Sequence, residues 1–286
     1  MKRIIAIALL LCLLLCGCSK NPTPTPTPSV HEQLKVHFID VGQADCILLE
    51  FNKQFALIDG GNNADAETVI SYLHLQGVQQ LELVVATHSH EDHIGGLDDV
   101  IDAFSVGTLW SSPLSDTKSS RNLERSAGNQ GKELLQPTVG QIFHLGQTSI
   151  TVLGPVKEYT EENNQSIVLM VQFGTTRFLL TGDMERIAEN DLVESGADLK
   201  ADVLKVGHHG SENATGYIFL REVMPKYAII SCGKDNSYGH PHEDPLSRLR
   251  DAESIVLRTD ECSTIVARSD GKDIYFMWGE DLSKAA

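Results

Sequence analysis

The 286-residue chain contains few cysteines, and their positions exclude a disulfide framework. Of the six cysteines, three fall within the first 18 residues, and the others are Cys46, Cys232 and Cys262. These three remaining cysteines are far apart in the sequence and include no Cys-x-x-Cys motif, so they can form one disulfide at most. The same spacing argues against a zinc knuckle.

Positive charge is also scarce. The chain has 23 Lys and Arg against 39 Asp and Glu, which gives a net charge of −16. Such acidity argues against broad electrostatic attraction to nucleic acid or to an anionic membrane. Long apolar runs are lacking as well, because the apolar stretch 4–15 is too short to span a bilayer comfortably as a helix.

The N-terminus has the composition of a secretion signal, with Lys2 and Arg3 before the apolar run. The run ends in Leu-Cys-Gly-Cys, which resembles a bacterial lipoprotein signal and implies cleavage before Cys18 and lipidation of its thiol. An ordinary signal peptide is the alternative. We therefore expect an extracytoplasmic protein, lipid-anchored to the bacterial cell membrane through Cys18.

Residues 21–29 alternate proline with threonine and favour extended polyproline geometry. They are interpreted as a stalk, and a proline-rich recognition ligand is the alternative. The predicted organisation is a signal peptide at 1–17, the lipidated cysteine and linker at 18–33, and a folded domain at 34–286.

Strand and helix patterns alternate after the linker. The predicted strands cover 35–40, 45–51, 54–59, 81–87, 148–153, 166–173, 176–181, 202–206, 227–232, 254–257, 263–268 and 273–278. The predicted helices cover 66–75, 94–104, 185–194, 214–223 and 244–251. The polar segment 112–140 is interpreted as a long loop or lid with one short helix. Grouped strands separated by helices predict an α/β sandwich, two packed sheets covered by helices.

The segment 88–93, HSHEDH, follows a predicted buried strand. His88 and His90 can point to one side of an extended loop, while Asp92 and His93 address a neighbouring point. Imidazole and carboxylate are ligands of zinc or manganese, so the segment predicts two adjacent metal positions. The alternative for any one of these residues is an ordinary surface or core histidine. Glu91 is interpreted as a solvent-facing spacer.

HSHEDH resembles the HxHxDH signature of the metallo-β-lactamase superfamily. That resemblance implies an αββα sandwich with two divalent metal ions, zinc or manganese, at one sheet edge. It implies that Asp59 orients the metal loop and that Asp183, in LLTGD, bridges the metals. His88 and His90 would then serve one ion, and Asp92, His93 and His208 the other.

A closer resemblance, to the hydrolase domain of the ComEC competence proteins, rests on three further segments. These are NNQSIVL (163–169), LKVGHHGS (204–211) and NSYGHP (236–241), and the similarity runs from about Leu34 to Trp278. Full competence proteins carry a many-helix membrane channel, which this chain lacks after residue 17. A direct role as a DNA uptake pore is therefore not expected.

One family position has no obvious match. Many superfamily hydrolases have a further histidine between HxHxDH and the bridging aspartate, and the histidine present there, His144, is interpreted as a structural strand residue. Asn163 or Ser166 is the candidate to complete the first site or to hold a ligand water.

The catalytic candidates are Asp92, His209 and His240. Asp92 is expected to position the nucleophilic water. His240 is expected to contact a phosphoryl oxygen or to protonate the leaving group, although it could instead cap the turn before Pro241. The candidate substrate contacts are His209, Ser211, Asn236 and Tyr238; His242 is interpreted as a surface residue.

The resulting hypothesis is a metal-dependent phosphodiesterase, a nuclease acting on extracellular DNA at the cell surface. A hydrolase of another envelope phosphodiester, such as decorated teichoic acid, is one alternative. A non-catalytic lipoprotein that binds nucleic acid or envelope polymer is another. A β-lactamase is disfavoured because Asp92 and the bridging Asp183 are both kept. No obligate protein partner is inferred.

Overall fold

Fifteen strands form two sheets in the computed structural model, which describes residues 32–279. The predicted signal peptide, Cys18 and the linker up to residue 31 lie outside the described residues. The strands are β1 Leu34–Phe38, β2 Ile47–Phe51, β3 Gln54–Ile58, β4 Gln80–Ala86, β5 Ser105–Ser111, β6 Leu134–Leu135, β7 Ile142–Leu145, β8 Thr148–Gly154, β9 Val168–Phe173, β10 Thr176–Leu180, β11 Val203–Lys205, β12 Tyr227–Ile230, β13 Ile255–Arg258, β14 Ile265–Ser269 and β15 Ile274–Trp278.

Eight α-helices connect these strands within the described range. They are α1 Ala66–Leu75, α2 Glu91–Ile94, α3 Leu97–Ala103, α4 Lys118–Asn129, α5 Arg186–Glu194, α6 Tyr217–Val223, α7 Glu243–Asp251 and α8 Thr259–Cys262. Short 3-10 turns cover Asn63–Asp65, Glu162–Gln165 and Gly207–Gly210. No helix in this part of the chain has both the length and the apolar content needed to cross a membrane.

Each sheet has an antiparallel and a parallel half. The first sheet runs β15-β14-β1-β2-β3-β4-β5-β6, antiparallel as far as β3 and parallel from β3 to β6. The second runs β13-β12-β11-β10-β9-β8-β7, parallel from β13 to β10 and antiparallel beyond. Parallel strands end at a common edge, and that edge carries the chemistry described below.

Three apolar layers hold the two sheets and their helices together. Residues from both sheets, such as Phe38 and Phe178, fill the space between the sheets. A second layer packs α1, α3 and α4 on the outside of the first sheet, and a third packs α5, α6 and α7 on the outside of the second. Strands between two such layers are buried on both faces, which explains why all five residues of β2 are buried. The predicted αββα sandwich is confirmed.

The segment 112–140 differs from the long loop or lid that its polar composition predicts. Helix α4 occupies twelve residues of it, and its Leu123 and Ala127 lie in the outer layer of the first sheet. Its buried serines at 119, 120 and 126 made this face look polar in the sequence. The segment therefore contains one packed helix, where one short helix was predicted, followed by the short edge strand β6.

The helix predicted for 94–104 is present but begins later, at Leu97, because Gly95-Gly96 separate it from the short helix α2. A side chain at Gly95 would lie 2.6 Å from the carbonyl carbon of Asn62, and one at Gly96 would collide with the carbonyl oxygen of Gly60. The two glycines therefore allow the loop after β3 to pack directly on the 88–96 segment.

Glu189 on α5 gives a pH-dependent contribution to stability. It accepts backbone hydrogen bonds from Thr215 and Gly216, yet burial outweighs them and raises the pKa of its carboxyl to about 7, from an ordinary 4.5. The folded state therefore keeps a proton that the unfolded chain releases between these pH values. Stability from this group is full below pH 4.5 and falls as the pH rises through 7.

We expect Glu189→Gln to remove this slope. Relative to the variant, the wild type should lose roughly 3 kcal/mol of unfolding free energy between pH 4.5 and 7. Urea denaturation of both proteins at several pH values measures the difference. If the unfolding free energies of the two proteins change with pH in the same way, Glu189 has an ordinary pKa in the folded state.

Candidate metal centre

The loop after β4 brings the HSHEDH side chains to the common edge of the two sheets. His88 and His93 are buried, whereas His90 is partly exposed. Asp183, in the loop after β10, is buried between them. Three groups of potential metal ligands result, and two of them share Asp183. The first contains His88, His90 and Asp183, and the second contains Asp92, His93, Asp183 and His209. Asp45, Asp59 and His93 form the third, which lies behind the second.

In the first group, the Nε2 atom of His88 lies 3.1 Å from the Nδ1 atom of His90. The Oδ2 atom of Asp183 lies 3.9 Å from the same His88 nitrogen. The other nitrogen of His90 faces Glu162, with 3.4 Å between Nε2 and Oε2. Glu162 also accepts hydrogen bonds from the hydroxyls of Ser89 and Ser115. Glu162, whose carboxylate faces His90, was not predicted from the sequence.

In the second group, the Nε2 atom of His93 lies 3.2 Å from Oδ1 of Asp183. The Nε2 atom of His209 lies 3.3 Å from Oδ2 of Asp92 and 3.6 Å from Oδ2 of Asp183. Asp183 is therefore the member common to both groups, in line with the bridging role that the resemblance implies for it.

The structure places His209, not His208, in the second group. Both residues have left-handed backbone conformations, with φ of 48° and 51°, so their side chains leave the chain in different directions. The Nδ1 atom of His209 faces the carbonyl oxygen of Ser231 at 3.0 Å, which directs Nε2 to the carboxylates. His208 instead turns its Nδ1 to Glu185 at 3.3 Å, and its Nε2 is 3.8 Å from Asp183.

Asp59 holds His93 from behind. Its Oδ2 lies 2.7 Å from Nδ1 of His93, and the amide and hydroxyl of Thr87 donate to its two oxygens at 2.8 and 2.7 Å. This arrangement fixes the His93 ring with Nε2 towards Asp183. The orienting role predicted for Asp59 is consistent with these contacts.

A buried ion pair lies beneath the second group and was not predicted. Lys205, at the end of β11, is fully buried and its Nζ lies 2.8 Å from Oδ2 of Asp45. Oδ1 of Asp45 lies 3.5 Å from Nδ1 of His209. The pair joins the two sheets and surrounds His209 with fixed charge. In the sequence, Lys205 is a single polar residue in an otherwise apolar strand. That pattern does not indicate Asp45 as its partner.

The other predicted residues are placed around the groups in different ways. Ser166 accepts the backbone N–H of Asp183 at 3.0 Å and lies 3.4 Å from Nδ1 of His88. The side-chain amide of Asn163 lies 3.3 Å from Glu185 and 3.5 Å from His208. Ser166 thus positions Asp183, and the prediction that either residue completes the first site stays a prediction.

Two of the four predicted substrate contacts serve the local backbone. Asn236 bonds the backbone of Gly233, Tyr238 and His240 through its amide group, and so shapes the 233–240 loop. Ser211 is buried and its hydroxyl accepts the N–H of Asn213 at 3.4 Å.

Two histidines that were given no metal role lie apart from the two groups. His144 lies exposed on β7 and belongs to neither group, as its interpretation as a structural residue requires. His242 accepts the backbone N–H of Glu212 at 3.0 Å.

The carboxylates of the two ligand groups stabilise positive charge close to them. Burial opposes a charge on His93 and His209, but neighbouring carboxylates, above all that of Asp183, raise the pKa of both imidazoles. Burial likewise opposes ionisation of Asp183, but His93 and His209 hold its pKa well below the ordinary range. By contrast, burial and the nearby His93 lower the pKa of His88. His88 is therefore a neutral imidazole, the form that binds metals.

The donor set fits divalent metal ions. Tetrahedral zinc with bonds of about 2.0–2.1 Å to nitrogen separates neighbouring ligand atoms by roughly 3.3 Å. The three closest pairs described above are 3.1, 3.2 and 3.3 Å apart. Buried Nε2 of His93, Nε2 of His209 and Oδ1 of Asp183 have no hydrogen-bond partner. Unpartnered buried polar atoms that converge in this way are accounted for by cations between them.

The groups open into a cavity of about 330 Å³. It is lined by Gln43, His90, Glu91, Asp92, Asp183, His208, His209, Tyr238 and His240. Glu91, expected to be a solvent-facing spacer, is exposed but forms part of this wall and accepts a 2.5 Å hydrogen bond from Asn63.

Comparison with known proteins agrees with this arrangement. The sequence profile of the metallo-β-lactamase superfamily matches residues 39–234. The chain belongs to the metallo-β-lactamase superfamily. Among metallo-β-lactamase fold structures, YhfI from Bacillus subtilis superposes with a TM-score of 0.58 at 12% identity, covering 83% of this chain and 100% of that one.

Within the metallo-β-lactamase superfamily, the chain is similar to competence proteins. It is 32% identical over 255 residues to ComE operon protein 3 of Bacillus subtilis (strain 168), covering 82% of this chain and 33% of the relative. It is 31% identical over 225 residues to competence protein ComA of Neisseria gonorrhoeae, covering 77% and 30%. The chain thus spans about a third of the length of these relatives. The resemblance stated from the sequence is confirmed, and fold and ligand groups together support a metal-dependent hydrolase.

Proposed function

We propose that the protein is a metal-dependent phosphodiesterase that cleaves DNA outside the cytoplasm, tethered by a lipid on Cys18. The observation that carries the proposal is the position of Asp183. It is shared by two ligand groups and lines an open cavity large enough for a phosphodiester. When bound, two divalent cations at these groups supply Lewis acidity and lower the pKa of a bound water to about 7.

Asp92 is the residue suited to hold that water. Burial opposes its ionisation, but the contact with Nε2 of His209 at 3.3 Å and the charge of His93 outweigh it and lower the pKa of the carboxyl to about 2. Asp92 is therefore a carboxylate at neutral pH. It lines the cavity and can accept a hydrogen bond from the attacking water.

His240 is suited to contact a phosphoryl oxygen. Burial and the neighbouring histidines 209, 208 and 242 lower the pKa of its imidazole to about 4. The ring is therefore neutral at pH 7 and donates one hydrogen bond from one nitrogen. Of the two predicted roles, this favours the contact with a phosphoryl oxygen over protonation of the leaving group.

The rim of the cavity supports a nucleic-acid substrate. Tyr238 is 67% exposed and stacks against His240, with ring centroids 5.6 Å apart and planes inclined by 24°. An exposed aromatic ring beside a phosphate-binding site can stack on any of the nucleotide bases, so the contact does not depend on the DNA sequence. The net charge of −16 opposes long-range attraction of DNA, so we expect binding to depend on the metal-loaded cavity.

A non-catalytic binding protein is the second candidate. It is favoured by the first group, which contains three candidate ligands against four in the second. Such a protein would retain DNA or an envelope polymer in the cavity without turnover.

Single-turnover assays with Mn²⁺ or Zn²⁺ separate these functions. The substrates are single-stranded DNA, plasmid DNA and a small aryl phosphodiester, with Asp183→Asn as the control. Cleavage of DNA by the wild type but not by Asp183→Asn supports the proposal. Cleavage of the small diester without DNA points to another envelope diester, and retention of DNA without cleavage in either metal overturns the catalytic proposal.

Replacing Tyr238 tests the nucleic-acid substrate separately. We expect Tyr238→Ala to raise KM for single-stranded DNA by roughly tenfold, the loss expected for one base-stacking contact. Its loss of rate on the small diester should be much smaller, and Tyr238→Phe, which keeps the ring, should behave as the wild type. Equal losses on both substrates would instead assign Tyr238 to the integrity of the His240 loop.

A further inference from the structure

Gln43 bridges the two sheets above the metal groups. It lies in the loop after β1, and its side chain crosses to the loop after β12. Its Oε1 accepts the backbone N–H of Gly233 at 3.0 Å, and its Nε2 lies 3.2 Å from Nδ1 of His240. A side chain at Gly233 would lie 2.7 Å from the backbone nitrogen of Gln43, so glycine is required for this approach.

The first of these hydrogen bonds fixes the orientation of the amide. A backbone N–H can only donate, so the atom of Gln43 that faces Gly233 must be the carbonyl oxygen. The NH₂ group is then the end that faces His240. Because an amide NH₂ can only donate, Nδ1 of a neutral His240 must be the acceptor, and its proton resides on Nε2.

The ring of His240 has little freedom to escape this arrangement. Asn236 holds its backbone through the N–H at 3.0 Å and the carbonyl at 2.5 Å. Tyr238 stacks on one face, and the ring of His242 meets it edge-on with centroids 4.9 Å apart. The ring is thus confined while it lines the cavity.

We propose that Gln43 is a positioning residue that keeps His240 in the Nε2–H tautomer, so that His240 donates a hydrogen bond to the substrate in the cavity. The catalytic part rests on the proposed function, whereas the tautomer does not. Gln43 itself need not touch the reacting phosphate, since its effect passes through the His240 ring.

The isosteric variant Gln43→Glu reverses the hydrogen bond. One carboxylate oxygen can still accept the N–H of Gly233, but the other can only accept, so His240 must carry a proton on Nδ1. Gln43→Met is the matched control, since it keeps the length of the side chain and makes neither hydrogen bond. It should leave His240 as a mixture of tautomers.

Nitrogen-15 NMR of the Zn²⁺-loaded, histidine-labelled full-length protein reports the tautomer directly, with His240→Gln used to assign the signals. We expect a protonated Nε2 and an unprotonated Nδ1 in the wild type, and a protonated Nδ1 in Gln43→Glu. A protonated Nδ1 in the wild type, or the same tautomer in all three proteins, overturns the proposal.

Kinetics on the small diester test the consequence. Gln43→Glu should lower kcat about tenfold to a hundredfold, as expected for a lost hydrogen bond to a charged group. In the His240→Gln background the same substitution should have no further effect. A full additional loss there would contradict the positioning role. Absence of all cleavage in the wild type would instead refute the proposed function, while the NMR result would still decide the tautomer.

Discussion

Asp183→Asn is expected to lose at least one bound metal ion and to reduce kcat by about 10³-fold or more. Asp183 is the residue shared by the first and second ligand groups, with Oδ1 3.2 Å from His93 and Oδ2 3.6 Å from His209. Asparagine keeps the shape and the backbone N–H to Ser166, but it removes the charge and the second oxygen ligand. A Lewis-acid metal contributes several kcal/mol to catalysis, which corresponds to this loss of rate.

Elemental analysis and single-turnover kinetics on the same preparation measure both effects. Asp202→Asn is a matched control. Asp202 lies immediately before β11, at the opposite end of that strand from His209, and its carboxylate accepts a hydrogen bond from the backbone N–H of Arg177. Circular dichroism should show both variants folded. Full metal content and an unchanged rate in Asp183→Asn would show that Asp183 does not hold the ions.

The sandwich itself could be predicted because its sequence signals are local. Strands such as β4 are short, mostly apolar runs, and the period of apolar residues in α1 is helical. Strand β5 was missed because it combines a glycine with polar residues at 105 and 108. Gly107 is required there, since a side chain would lie 2.6 Å from the carbonyl oxygen of Glu82 on β4. That constraint comes from the neighbouring strand.

The candidate site could be predicted only where one loop carries several ligands. The spacing within HSHEDH identifies four candidate ligands, His88, His90, Asp92 and His93. The family resemblance added Asp183. Glu162 and Lys205 act through partners 72 and 160 positions away, His90 and Asp45, so no local pattern reveals them. The pair His208-His209 shows a different limit. Spacing cannot distinguish two adjacent histidines, because the backbone conformation at both positions decides which ring reaches Asp92 as well as Asp183.

That pair offers a matched test of the ligand assignment. We expect His209→Ala to lose one metal ion and to lower kcat by about 10³-fold, by the same argument as for Asp183. His208→Ala should keep both ions and lose less than about tenfold, because the His208 ring lies outside both groups. Alanine is strained to a similar extent at the two positions, since their φ angles differ by only a few degrees. The backbone cost therefore cancels in the comparison.

The number of retained ions decides between the two assignments. If His208→Ala loses a metal ion and His209→Ala does not, the resemblance assigned the ligand correctly, with Nε2 of His208 as the ligand atom next to Asp183. Loss of an ion from both variants would make both histidines ligands, with His208, 3.8 Å from Oδ2 of Asp183, serving the group that has fewer members. Only retention by His208→Ala with loss by His209→Ala agrees with the geometry, in which Ser231 directs His209 to the carboxylates and Glu185 holds His208 away.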